Sequence, residues 1–161
     1  MRTSIAGVLI LIATCACGQN VPRWQHIDSS DGAFSFEMPD QPRLSTKQLT
    51  DRNGHPFQLS SYELEDGKST YMVAFSDYDR ASEPALDSFL RAAKAPRIID
   101  RRKMTLLGHP AEVVEFETEQ FRVMVRAIAV GKRLYQIAYI AVGDAFVRAN
   151  AEHFLDSLRL R

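Results

Sequence analysis

Few side chains in this sequence have the types and spacing that chemistry requires. Its four histidines are His26, His55, His109 and His153, and none falls at metal-ligand spacing from another His, Cys or carboxylate. His109 lies between Gly108 and Pro110, which marks a turn residue, and His153 flanks the inner face of a closing helix. Asp77, Asp79 and Glu83 form the one acidic cluster with ligand value, since calcium takes several oxygens from a flexible loop. The glycine of an EF-hand is missing and Pro84 follows at once, so the cluster reads as a solvated strand-to-helix loop. No metal and no cofactor is expected. Glu112, Glu115, Glu117 and Glu119 crowd one strand end, and the last three share a parity. Acid–base chemistry would need one of them buried beside an apolar wall. They read instead as a polar rim on an exposed edge. There is no G-x-S-x-G elbow and no thiol after Cys17, so no catalytic residue is expected and the chain does not read as an enzyme. Trp24, Tyr62, Tyr71, Tyr78, Tyr135 and Tyr139 could line a cleft or an interface, but most alternate with the core pattern. Tyr78, with Asp77 and Asp79, is the expected contact for a partner or ligand.

The two cysteines carry a different message. Both Cys15 and Cys17 lie in the first 17 residues, behind Arg2 and the apolar run from Ile5 to Ala13. A positive start, a short apolar stretch and small residues make a secretory signal, and the run is too short to span a membrane. Ile12-Ala13-Thr14-Cys15-Ala16-Cys17-Gly18 resembles a bacterial lipobox, in which a small residue precedes a lipidated cysteine. Ala16 before Cys17 favours that cysteine; Ile12 three residues before Cys15 keeps it as the alternative. Acyl chains, at roughly 0.8 kcal/mol per buried CH₂, would hold the protein on a bilayer. The expected organisation is a signal peptide over 1–17, a short tether over 18–23 and one domain over 24–161. Gly18 after the cysteine implies an outer-membrane lipoprotein facing the periplasm. A soluble periplasmic protein, released by plain cleavage, is the alternative.

The elements that must position these residues follow from periodicity. Lys+Arg and Asp+Glu number 20 each, a balance that argues against a nucleic-acid partner. Phe34, Phe36 and Met38 alternate with polar residues as a half-buried strand does. Further strands are expected over 43–50, 57–64, 71–75, 98–106, 111–116, 121–130 and 134–141. Gly131-Lys132 suits a type II′ hairpin, and Gly108-His109-Pro110 marks another turn. A helix capped by Ser82 carries Leu86, Phe89, Leu90 and Ala93 on one face, and Pro96 ends it. A closing helix opens near Asp144 with Val147, Ala151, Phe154, Leu155 and Leu158 inside. The segments 71–75 and 134–141 are apolar on both faces and demand cover above and below. The expected fold class is α+β: a largely antiparallel sheet of about seven strands, sandwiched between helices, one on each face.

The order of landmarks resembles a known group. Trp24, then Gly32-Ala33-Phe34-Ser35-Phe36-Glu37-Met38-Pro39, then Gly108-His109-Pro110-Ala111-Glu112 are part of it. Gly131-Lys132-Arg133-Leu134-Tyr135-Gln136 and Phe154-Leu155-Asp156-Ser157-Leu158 complete it. In these the chain is similar to the PsbP/DcrB-like superfamily, among its bacterial exported proteins. The resemblance covers nearly all of 24–161, and its motifs are structural. It implies a PsbP-like α/β/α sandwich and a non-enzymatic accessory or binding subunit, as in one photosynthetic lineage and another that binds a small GTPase. The expected function is therefore a non-catalytic accessory or protein-binding domain of the cell envelope, with an unknown envelope protein as partner. The alternative is a carrier or sensor of a small ligand in the periplasm.

Overall fold

A computed structural model describes residues 22–51, 54–78, 86–94 and 97–161. The expected signal peptide, Cys15 and Cys17, most of the tether, and Asp79, Ser82, Glu83, Pro84 and Pro96 lie outside them. The chain opens with β1 (Gln25–Asp28) and β2 (Phe34–Met38), then makes an antiparallel meander of β3 (Arg43–Thr50), β4 (Pro56–Asp66) and β5 (Ser69–Asp77). After α1 (Asp87–Ala92) a second meander follows: β6 (Arg97–Leu106), β7 (His109–Glu117), β8 (Phe121–Val130) and β9 (Arg133–Val142). A single tight turn of helix (Gly143–Ala145), α2 (Arg148–Asp156) and β10 (Arg159–Leu160) close the chain.

The two meanders join where β5 pairs with β9, giving one seven-stranded sheet in the order β3-β4-β5-β9-β8-β7-β6. That places the two doubly apolar segments side by side at the centre, where both faces must be covered. One face is covered mainly by a second sheet, in the order β1-β2-β10. Phe34, Phe36 and Met38 of β2 are all but inaccessible to water and pack on Tyr62, Tyr71, Tyr135, Ile137 and Tyr139. The Phe34 ring meets Tyr135 at 5.2 Å and Phe75 at 5.3 Å, both edge to face. Such geometry suits the ring quadrupoles. Ala151, Phe154 and Leu155 of α2 complete this layer. On the opposite face Val114, Phe116, Val123, Val125, Ala127 and Ala138 pack with Leu86, Phe89, Leu90 and Ala93 around α1.

The expected sandwich of a sheet between long helices is not what the chain builds. The fold is dominated by antiparallel sheet, and among the described residues α1 and α2 are only six and nine residues long. Three features misled the sequence reading. The four residues of β1 and two of β10 are too short to show alternation, so a second sheet was invisible. Val147 is 47% exposed, because α2 begins after it and not near Asp144. The turn expected at Gly108-His109-Pro110 lies one residue earlier, and His109 is the first residue of β7, paired with Leu106.

Leu107 and Gly108 take φ of +53° and +79°, the pair of positive values that a type I′ hairpin requires. Leucine is strained there, which is why it gave no turn signal. Leu107→Asn is expected to stabilise the protein by about 1 kcal/mol. Phe34→Ala is expected to cost about 3–5 kcal/mol, because it opens a cavity between the sheets. Urea unfolding followed by circular dichroism measures both.

Candidate functional site

Of the expected contact residues, Asp77 and Tyr78 fall at one end of the large sheet. Asp77 accepts two hydrogen bonds from Arg133, at 2.7 and 2.8 Å, and Asp31 takes a third guanidinium N–H at 2.5 Å. The same guanidinium lies over the rings of Phe75 and Tyr135. Hydrogen bonding to Asp77 foremost holds Arg133 protonated beyond its ordinary range. Arg133, braced by Asp77, thereby fastens the β1–β2 turn to the large sheet through Asp31. Tyr78 is half-buried and stacks on Phe57 at 5.3 Å. Asp79 lies outside the described residues. His153 stacks on Trp24 at 4.2 Å and shares a 2.7 Å hydrogen bond with Glu37.

Two of the carboxylates expected to form a polar rim sit elsewhere. Glu112 and Glu115 are 2% and 3% exposed, so they are not a polar rim. They face opposite sides of the sheet. Glu112 accepts the Leu86 backbone N–H at 3.1 Å and Arg101 Nε at 2.8 Å, which pins the start of α1. Glu115 accepts Arg122 at 2.6 Å and Arg148 at 2.8 Å, which pins the first residue of α2. Burial alone would raise the Glu115 pKa. The hydrogen bonds and charges of Arg148 and Arg122 outweigh burial and hold it below the usual carboxylate value. Glu117 reaches Arg97 at the same strand end.

Glu115 forms the floor of a groove of about 180 Å³ between α2 and strands β6 to β8. Asp100, Arg102, Arg126, Glu152 and Asp156 line it. Arg126 donates to the Leu155 carbonyl at 2.7 Å and to Asp156 at 2.8 Å. Ligand pockets are larger, at about 300–1,000 Å³, and mostly apolar. Here cations and anions already neutralise one another. A carboxylate held ionised by two guanidiniums is a poor general acid and a weak base at neutral pH. Among the described residues, no three His, Cys, Asp or Glu side chains converge to hold a metal ion. The buried glutamates were missed, but a signal existed: both lie inside the otherwise apolar run 111–116, where a charge is tolerated only when paired.

No protein-family model matches this chain, and no curated protein matches it. Among solved structures it is similar to the solution structure of cyanobacterial PsbP (CyanoP) from Synechocystis sp. PCC 6803. The TM-score is 0.59 at 11% identity, over 89% of this chain and 96% of that one. The fold is therefore PsbP-like, as the landmarks led one to expect.

Glu115→Gln removes the charge between two guanidiniums and is expected to cost about 3–5 kcal/mol. Because the native pKa is lowered, the carboxylate's contribution is fully present above about pH 5 and fades as pH falls through the native value. The difference between wild type and Glu115→Gln in urea unfolding should therefore shrink on acidification below the ordinary value of 4.5. A difference constant down to pH 3 would contradict the assigned ion pairs.

Proposed function

We propose that this chain is a non-catalytic accessory domain of the bacterial cell envelope, which acts by binding another envelope protein. It is exported by residues 1–17 and held on the membrane through a lipid on Cys17, with Cys15 as the alternative. The observation that carries the non-catalytic reading is the state of the two buried glutamates. Each is closed by arginine and fastens a helix, so each is committed to the fold. The PsbP-like fold supports the reading, since the superfamily that the sequence resembles implies accessory and binding subunits. Tyr78, with Asp77 and Asp79 beside it, is the proposed contact. A ligand carrier is the second reading, and the charged groove over Glu115 is the place it would use.

In-cell crosslinking of the full-length protein, followed by mass spectrometry, tests this. One dominant envelope partner is expected, captured less well when Cys15 and Cys17 are both replaced by Ser and when Tyr78→Ala is introduced. A double-serine form that stays in the membrane pellet would remove the lipid tether from the proposal. Absence of any enriched partner, with calorimetric heat from a small anionic ligand that Arg148→Ala abolishes, would favour the carrier.

A further inference from the structure

We infer that one end of the large sheet is a membrane-contact surface, seated in the bilayer by exposed apolar side chains where the tether enters the domain. This rests on the lipid tether proposed above and adds which end faces the lipid. Ile98, Ile99, Phe121, Val142 and Val147 are 43%, 39%, 39%, 46% and 47% exposed. Strand register gathers them. Phe121 is paired with Val142 at the end of β8 and β9, and Arg97 and Ile98 with Glu117 and Phe116 at the same end of β6 and β7. Gly143 donates its N–H to the Gln120 carbonyl, which ties the segment leading to Val147 to this end as well.

The chain enters at that end too. Trp24 packs on Tyr71, which lies two residues from the Ser69–Ala141 pair that closes β5 and β9 here. From Trp24, β1 runs away from the apolar end, since the turn after it carries Asp31 to Arg133 at the far end of the sheet. The described chain therefore begins, at Pro22 and Arg23, on the apolar side. A short tether brings this end to the bilayer, and exposed Phe, Ile and Val are the side chains that enter its headgroup–acyl boundary.

Charge plays little part. Arg97 pairs with Glu117, Arg122 and Arg148 share Glu115, and Arg148 also reaches Glu152, so these arginines form no unbalanced basic cluster for anionic lipid. Contact should persist in high salt, unlike a polybasic one. The occupant is thus the apolar boundary of a bilayer, whatever its headgroups.

Depth-dependent quenching tests it. Full-length chain is purified from membranes and reconstituted into phosphatidylethanolamine–phosphatidylglycerol vesicles containing phosphatidylcholine brominated on its upper acyl carbons. Phe121→Trp and Val142→Trp report on the proposed end. Leu49→Trp, 39% exposed like Phe121 but at the opposite end beside Phe57, is the control. Emission beyond that of Trp24 should fall about twofold for the first two, at an insertion depth of roughly 5–10 Å, and stay unchanged for the control. Vesicle-bound chain with no quenching at 121 or 142, or with equal quenching at 49, overturns this orientation while leaving the tether intact. Chain that does not float with the vesicles overturns the tether reading and this inference with it.

Discussion

Strands β5 and β9 meet at the centre of the sheet with apolar side chains on both faces, and neither face can be left to water. The other layers answer to that constraint. On one side Phe34, Phe36 and Met38 arrive on β2 with β1 and β10 beside it, and Phe154 arrives on α2. On the other, Leu86 and the residues of α1 settle on Val114, Val125 and Ala138. Burial of this kind is non-directional, so it demands cover without specifying its form. What fixes the form is the set of charged fasteners: Glu112 at the start of α1, Glu115 at the start of α2, and Arg133 at the β1–β2 turn.

These fasteners share a logic. A buried carboxylate is costly unless paired, so Glu112 and Glu115 are fully satisfied only when the helix bringing a second partner is docked. Glu115 needs Arg148, and Arg148 opens α2. Ion pairs that look like candidate chemistry thereby act as checks on correct assembly.

The larger sheet was legible because its strands are long and regular. The Gly131-Lys132 turn separated β8 from β9, and the doubly apolar segments identified the centre. The smaller sheet was not legible, because its outer strands are held by backbone pairing to β2 rather than by a pattern of their own. The same limit hid the ion pairs. Glu115 and Arg148 are far apart in sequence, and only the fold shows that they meet. Asp77 reads in sequence as part of an acidic cluster, and its pairing with Arg133 shows only in the fold.

The strand β2 is flanked by the first strand of the domain on one edge and the last on the other, with Arg161 donating its backbone N–H to Ala33. A chain that emerges amino end first must therefore present Phe34 and Phe36 long before the clasp that secures them exists. Final closure waits for β10 to be delivered, and until then the aromatic layer stays accessible. Such late locking keeps a partly made chain pliable, because the contacts that secure the aromatic layer are far apart in sequence. It also makes β10, and not β1, the element at which the architecture becomes irrevocable.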